Sequence, residues 1–427
     1  MNAPEVIVAG GGIVGAACAY YLAQAGMGVL VLEREFFASG TSRACDGLIL
    51  SWDKLSAAEL ELAQASAMLW ADLAQALPRD FEYRRQGSIV LAETEEVLAG
   101  LRQKAADLGE AGIRAEVLDG AGLLTLEPNL APDLAGGAFF PGDAQVDARQ
   151  ATLALLEGAA HLGAELRQGV EVIGLHRQTG GRVTGVLTAE SGGSASGCGR
   201  PASGGVIMAD AVVVAGGVWS SEMLREAGLE LPIRPRKGHI VVASLRHAPD
   251  LIAHPLAEGS YAASVKSSAD DVQVALIAEK TASDTLLLGS SREFCGFDRS
   301  VRVEIVQAIA ARAIRFVPAL AAASAIRSYA GLRPWSPDHL PLIGPVETHP
   351  GLFLATGHEG AGIGLAPVTG RMIADWIECC PHGYATGTEP GRGDTVSERP
   401  GLVSKGWSAT WPGRFGTPTQ LAQVPPK

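Results

Sequence analysis

The sequence predicts an α/β protein in which a doubly wound parallel sheet is combined with a second, mainly antiparallel β-sheet region. The stretch EVIVAGGGIVGAACAYYLAQAGMGVLVLERE (5–35) has successive strand, helix and strand patterns. A strand of the same buried type, VVVAGG, follows only at 212–217, after a long excursion. Residues 232–294 have a mainly β pattern. We therefore expect two regions, the first of them discontinuous along the chain.

Composition narrows the class of protein. The 427 residues are 47% hydrophobic and 19% charged, as in a folded chain of about two domains. A net charge of -12 argues against nucleic-acid or anionic-membrane binding. The six cysteines have no C-x-x-C spacing, so an iron–sulfur cluster held by this chain alone is not expected. We find no secretory signal and no apolar run long enough for a membrane span, and we expect a cytoplasmic location.

The individual elements follow from apolar periodicity and turn residues. A strand over 5–9, a helix over 13–25 and a strand over 29–32 form the first βαβ unit. Further helices are predicted over 56–77, 93–112, 147–162, 300–316 and 365–378, and further strands over 85–93, 169–175, 182–188 and 206–220. The polar stretch 190–205 is predicted to be a flexible hairpin insertion. The Gly- and Pro-rich tail 381–427 is predicted to be extended or ordered by a partner.

The glycines of the first turn indicate a dinucleotide. Gly10, Gly12 and Gly15 form G-x-G-x-x-G between a strand and a helix. In this motif the glycines allow a tight turn, close approach of a pyrophosphate and close helix packing, while the helix N-terminus attracts the phosphates. Glu33 ends the second strand, where a carboxylate can accept hydrogen bonds from ribose hydroxyls.

The spread of glycine-rich loops favours FAD over NAD. A third such loop, GHEGAGIG (357–364), precedes the last helix, so backbone approaches come from the beginning, middle and end of the chain. One extended ligand contacted from all three segments explains this spread, and FAD is such a ligand.

These segments together resemble the D-amino-acid-oxidase superfamily of FAD-dependent oxidoreductases. The chain is similar to glycine oxidase, the hydrogen cyanide synthase flavin subunit, and the β subunits of D-hydroxyproline dehydrogenase and opine oxidase. The matching stretches are GGGIVGAACAYYLAQAG (10–26), ASGTSRACDG (38–47), GVEV (169–172), VVVAGGVWS (212–220), RPRKGHIV (234–241), GLRPWSPDHLPLIGP (331–345) and GHEGAGIGLAPVTG (357–370). The resemblance implies a discontinuous Rossmann-like FAD-binding domain over 1–80, 141–231 and 328–380, and a substrate domain over 81–140 and 232–327.

The resemblance also implies the cofactor site. Residues expected at the ADP portion are Gly10, Gly12, Ile13, Val14, Gly15, Glu33 and Arg34, with Val172 meeting the adenine. Residues expected along the pyrophosphate, ribityl chain and flavin are Thr41, Ser42, Arg43, Gly216, Gly217, Gly362, Ile363 and Gly364.

On the substrate side, the resemblance implies that Arg333 binds a carboxylate, for which a guanidinium offers two parallel donors. His358 is left open as a loop-bracing group or a catalytic base, and Glu359 as a partner of a substrate cation or a loop-structuring acid. Tyr261 is a pocket candidate whose alternative is an exposed loop position. Lys237 is a weaker candidate. We interpret Cys45 and Cys295 as ordinary cysteines rather than as flavin attachment points.

The sequence therefore predicts an FAD-dependent amino-acid or amine dehydrogenase that oxidises a C–N bond to an imine. The resemblance favours the catalytic β subunit of a heteromeric complex whose partners carry FMN or iron–sulfur centres, with FMN at a subunit interface. D-Hydroxyproline, D-proline, an opine or sarcosine are the substrates considered. A self-sufficient glycine or sarcosine oxidase, a flavin-binding assembly subunit and an NAD dehydrogenase remain as alternatives.

Overall fold

The structure, a computed structural model, describes residues 3–190, 204–261, 271–379 and 409–412. Most of the predicted insertion (190–205) and most of the predicted tail (381–427) lie outside the described residues. Among the described residues, no helix combines the length and the apolar character that crossing a membrane requires.

Nineteen strands and eight α-helices make up the part of the chain that the structure describes. The helices are α1 (Ile13–Gln24), α2 (Ala57–Ala76), α3 (Glu95–Glu110), α4 (Gly120–Leu126), α5 (Ala148–His161), α6 (Ser220–Arg225), α7 (Val303–Phe316) and α8 (Gly362–Cys379). The strands are β1 (Val6–Ala9), β2 (Val29–Glu33), β3 (Leu48–Ile49), β4 (Ser88–Ala92), β5 (Glu116–Asp119), β6 (Gly136–Phe140), β7 (Ala144–Gln145), β8 (Glu165–Gln168), β9 (Val170–Arg177), β10 (Val183–Glu190), β11 (Val206–Met208), β12 (Ala211–Val214), β13 (Arg234–Ser244), β14 (Leu256–Glu258), β15 (Gln273–Lys280), β16 (Thr285–Arg292), β17 (Ala325–Trp335), β18 (Leu342–Pro345) and β19 (Leu352–Thr356).

The first sheet has the predicted doubly wound form. Its strand order is β18-β19-β12-β1-β2-β8, and all pairs are parallel except β18 with β19. Consecutive positions of β1 contribute to opposite cores: Val6 and Val8 pack with α1, α5 and α8, whereas Ile7 and Ala9 pack toward β9 and β10. The sheet is buried on both faces, which explains the unbroken apolar runs of its strands.

The second sheet is mainly antiparallel, as predicted. Its order is β17-β13-β16-β15-β14-β4-β6-β5, with one parallel pair, β14 with β4. Strand β17 pairs with β13 along nearly its whole length, and Arg236 stands opposite Arg333. By hydrogen bonding, residues 328–335 therefore belong to the second sheet, although the sequence analysis grouped them with the nucleotide-binding part.

One predicted strand was wrong in extent. The stretch 206–220 was expected to form a single buried strand, but it forms β11 and β12, which lie in different sheets. Val206 and Met208 of β11 are exposed, whereas every residue of β12 is buried. The polar residue Asp210 separates the two strands, and the chain crosses there from one sheet to the other.

Helix α8 contains a proline whose effect is compensated by a distant tryptophan. Pro367 has no N–H, so the carbonyl of Ile363, four residues earlier, lacks its helical donor. The indole Nε1 of Trp70 on α2 donates to that oxygen at 3.1 Å. Ser66 Oγ accepts from the N–H of Val368 at 3.3 Å. These bonds hold α2 against the first turns of α8.

We predict that Trp70→Phe destabilises the fold by about 1–3 kcal/mol, because it leaves the buried Ile363 carbonyl without a donor. The free energy of unfolding from urea titrations measures the loss. Pro367→Ala supplies a helical N–H for the same oxygen, so Trp70→Phe should cost less in that background. Equal costs in both backgrounds would contradict the assignment.

Candidate active site

A deep cavity lies where the carboxyl ends of β1, β2 and β12 meet the start of α8. Parallel sheets of this type bind ligands at that edge, where the strand order reverses. The residues that line the cavity include Val170 and Val172 of β9 as well as Tyr261 and Arg333. Its wall combines segments from the N-terminal, middle and C-terminal parts of the chain, as the glycine pattern predicted.

The glycine turn leaves no room for side chains. At Gly10, φ is 120° and an added Cβ would lie 2.5 Å from the Ala215 carbonyl oxygen. An added Cβ at Gly15 would lie 2.0 Å from the carbonyl oxygen of Gly10. Ser42 Oγ accepts from the N–H of Ile13 at 2.9 Å and fixes the N-terminus of α1. Glu33 accepts from the N–H of Gly11 at 2.8 Å and stands at the end of β2.

Most of the predicted cofactor residues meet in this one cavity. Those that line it are Gly10, Gly12, Ile13, Val14, Glu33, Arg34, Thr41, Ser42, Val172, Gly216, Gly217, Gly362 and Ile363. Gly15, Arg43 and Gly364 are not among its lining residues. Gly15 serves close packing instead, and Arg43 lines two neighbouring cavities.

Arg333 lies at the end of the cavity away from the glycine turn. Its Nη1 donates to the Ser291 carbonyl oxygen at 3.0 Å. Burial and the nearby Arg292 lower the pKa of Arg333, but its guanidinium stays charged because its ordinary pKa is above 12. Gly238 makes room for it: an added Cβ there would lie 2.0 Å from Nη1. The site therefore holds a half-buried cation at a cavity wall.

Glu359 has both carboxylate oxygens engaged by the protein. Oε1 accepts from Arg236 Nη1 at 2.6 Å, and Oε2 lies 2.8 Å from His339 Nδ1. Despite burial, these two partners lower the pKa of Glu359. Its φ of 47° is unusual for a residue other than glycine. Of the two roles left open by the sequence, this geometry favours an acid that structures the loop.

His358 is buried in the loop before α8 and is held by that helix. Its Nε2 lies 2.9 Å from Thr369 Oγ1, and that hydroxyl donates to the Leu365 carbonyl oxygen at 2.8 Å. The hydroxyl proton is thus used, so Nε2–H of His358 must be the donor. Burial lowers the pKa of His358 to about 3, which keeps the ring neutral. The geometry favours bracing of the loop over base catalysis through Nε2.

Tyr261 lines the cavity and is buried, in contrast to the exposed alternative. Its ring meets Trp52 edge-on, with centroids 5.9 Å apart. The Arg292 guanidinium lies over the ring, 4.4 Å from the centroid. These contacts fix the tyrosine beside Arg333.

Lys237, the weaker candidate, is not among the residues that line the cavity. Its Nζ contacts Asp298 at 2.9 Å and Glu293 at 3.2 Å. Side chains alternate along β13, so Lys237 points away from the face that carries Arg236 and Gly238. Sequence reasoning missed those two residues. Their signal was the period of two in RPRKGH, which puts every second residue on the face toward Arg333.

Comparisons with known proteins agree with this geometry. Residues 5–376 match the family described as DAO, FAD dependent oxidoreductase. The chain belongs to this family. The glycine oxidase of Geobacillus kaustophilus is 31% identical over 381 residues, which cover 88% of this chain and 93% of that protein. The D-amino acid dehydrogenase of Methylobacterium nodulans is 30% identical over 429 residues, covering 87% of this chain and 95% of that protein. The crystal structure of the G. kaustophilus glycine oxidase has a TM-score of 0.76 at 29% identity, covering 88% of this chain and 95% of that one.

Membership confirms the predicted fold class, the enzyme class and FAD as the cofactor. The cavity fits a dinucleotide for two reasons. The backbone at Gly10 has no room for a side chain and stays open to a pyrophosphate, and Glu33 stands at the strand end where a ribose would lie. Gly216 and Ile363 line its middle section. FAD, when bound, takes up the hydride that leaves a substrate carbon. Cys45 lines the cavity, and burial raises the pKa of its thiol, as expected for an ordinary buried cysteine.

We predict that Gly238→Ala weakens binding of small carboxylates by about tenfold or more, because the new Cβ displaces the Arg333 guanidinium and its charge-assisted hydrogen bonds are lost. Perturbation of the flavin absorbance by added acetate measures the affinity. Gly360→Ala is the matched control, since its Cβ would lie 3.9 Å from Nε of the same arginine, an ordinary contact. Similar affinities for the two variants would contradict the prediction.

We predict a pH effect from His358. Its folded-state pKa of about 3 lies below the ordinary 6.5, so the unfolded chain binds more protons between these values. The stabilisation is complete above pH 6.5 and is lost as the pH falls toward 3. His358→Gln, which can still donate to Thr369, should reduce the loss of unfolding free energy between pH 7.5 and 5.

Urea denaturation of both proteins checks this prediction. His239 and His349 also have pKa values lowered by burial, so the informative quantity is the difference between variant and wild type. Parallel pH curves would mean that folding does not lower the pKa of His358, which would contradict the prediction.

Proposed function

We propose that the protein is an FAD-dependent dehydrogenase that oxidises the C–N bond of an amino acid or N-substituted amino acid to an imine. D-Hydroxyproline, D-proline, an opine or sarcosine are the proposed substrates. The observation that carries the proposal is Arg333, a half-buried guanidinium that lines the same cavity as the glycine turn. A carboxylate bound there would be held with its α carbon near the flavin.

The protein's contribution to such an oxidation is positioning. A guanidinium binds a carboxylate through two parallel hydrogen bonds, which restricts rotation of the substrate. Tyr261, packed between Trp52 and Arg292, forms a rigid apolar wall next to that site. The neutral His358 and the paired Glu359 keep the loop before α8 in place.

We further propose that the chain acts as the catalytic β subunit of a heteromeric complex, with partners that carry FMN or iron–sulfur centres. The resemblance to the β subunits of D-hydroxyproline dehydrogenase and opine oxidase supports this proposal. The similarity to a D-amino acid dehydrogenase is compatible with an acceptor other than oxygen.

A self-sufficient oxidase is the second candidate. The similarity to glycine oxidases supports it, since their name implies oxygen as acceptor. Oxygen consumption by the isolated chain distinguishes the two: fast turnover with peroxide formation favours the oxidase. A flavin-binding assembly subunit is disfavoured by the cation of Arg333 at the cavity wall, which assembly alone does not require.

We predict that Arg333→Lys weakens amino-acid binding by about 10- to 100-fold, because lysine keeps the charge but lacks the planar fork. Arg333→Met removes the charge as well and should lose more. The test is anaerobic bleaching of the flavin band by the proposed substrates. A wild-type flavin that none of them reduces, or a Met variant reduced at the wild-type rate, would contradict the proposed function.

A further inference from the structure

Oxidation of an amino acid to an imine requires a deprotonated nitrogen, because the nitrogen lone pair becomes the new π bond. At neutral pH the amino group of a free amino acid carries an extra proton. A closed cavity that binds the zwitterion must therefore remove that proton, and it must balance the ammonium charge until it does. Arg333 meets the carboxylate but cannot serve the ammonium.

Four acids line the cavity among the described residues: Glu33, Glu35, Asp46 and Glu359. Glu33 accepts from the backbone N–H groups of Gly11 and Glu35 at the glycine turn. Both oxygens of Glu359 are used by Arg236 and His339. Glu35 stands just after β2, next to Arg34. Asp46 lines the same cavity as Arg333 and, among the described residues, forms no ion pair within 4 Å of a cationic side chain.

We propose that Asp46 is a catalytic residue: it binds the substrate ammonium and accepts the proton that the nitrogen must lose. This inference rests on the proposed function and names the group that completes its site. The substrate N–H bond breaks, an O–H bond forms on Asp46, and the bonding pair stays on nitrogen. As the α C–H bond breaks, its hydrogen and both its electrons would leave together as a hydride to bound FAD, and the nitrogen pair forms the C=N bond.

The surroundings of Asp46 suit a base. Burial raises the pKa of Asp46, as does Asp53 on the following loop, while Arg333 and the N–H of Leu48 lower it, with a net increase. The charge of Asp46 also acts on three other titratable groups, which are Glu279 on β15, Tyr329 on β17 and the neighbouring Cys45. Because the charged form is the acceptor, flavin reduction should rise with pH as Asp46 ionises.

Glu279 provides a matched control. It lines a second cavity, which Cys45 and Gly47 also line. Its Oε2 accepts from the N–H of Gly47 at 2.7 Å. Burial and the charge of Asp46 raise the pKa of Glu279 to about 8, so it is protonated at neutral pH. Glu279→Gln therefore preserves both the hydrogen bond from Gly47 and the neutral state of the side chain. Glu279 is a buried acid whose partner, Gly47, directly follows Asp46 in the sequence.

The experiment compares two ligands of the FAD-loaded protein at pH 7: D-proline, and cyclopentanecarboxylate, which has the same ring without nitrogen. The dissociation constant of D-proline comes from the concentration dependence of the anaerobic flavin reduction rate, and that of cyclopentanecarboxylate from the change in flavin absorbance. Asp46→Asn should weaken the binding of D-proline by about tenfold or more and change the affinity for cyclopentanecarboxylate by no more than about twofold. Only D-proline loses a charge-assisted hydrogen bond. Glu279→Gln should change neither.

The second readout is the rate of anaerobic flavin reduction from pH 6 to 10. Asp46→Asn should lower the rate about 100-fold at pH 7, with recovery toward pH 10, where the free amine needs no base. If Asp46→Asn weakens the binding of both ligands equally, or leaves the pH profile of the flavin reduction rate unchanged, the proposal for Asp46 is overturned and the proposed function is not. A wild-type protein that binds both ligands with equal affinity would also overturn the proposal for Asp46. A wild-type flavin that no amino acid reduces would instead overturn the proposed function itself.

Discussion

The close packing of α1 is the constraint on which the rest of the structure depends. An added Cβ at Gly15 would collide with the Gly10 carbonyl oxygen, and one at Gly370 would lie 2.5 Å from the backbone of Ala17. The first glycine turn and the start of α8 can therefore approach the same cavity only because two helix positions carry no side chain. Larger residues at these positions would move α1 away from β1 or from α8, and the walls of the dinucleotide site would separate.

At the substrate end of the cavity the constraint is different, because several guanidinium groups lie close together there. Arg236 and Arg333 stand opposite each other on β13 and β17, and like charges in such pairs repel. Glu359 neutralises Arg236 and leaves the charge of Arg333 available to a substrate. Removing one partner of a buried ion pair costs about 3–5 kcal/mol, so Glu359 has a structural reason to be there even without a substrate contact. Its positive φ is tolerated because both oxygens are held.

The pattern of the sequence was sufficient for the sheets, the glycine turns and the cofactor, because each of these rests on local periodicity or on a motif with one physical purpose. It was insufficient where a residue's role depends on which face of a strand it occupies. Lys237 and Arg236 are adjacent in the sequence, yet they point to opposite sides of β13, one into an ion cluster with Glu293 and the other toward Glu359. The strand's exact register against β17 decided between them.

The sequence by itself thus determined the class of fold and the dinucleotide turn with its acid at Glu33, and through the resemblance it predicts that Arg333 binds a carboxylate. Only the tertiary structure decided how charges are distributed in the cavity. Glu359 could have met a substrate cation, but two distant side chains occupy it, and Asp46, from a different segment, is left facing the site of Arg333. The reason is physical: the charge available to a ligand depends on the partners brought to each group in space, and those partners lie up to hundreds of residues away in the chain.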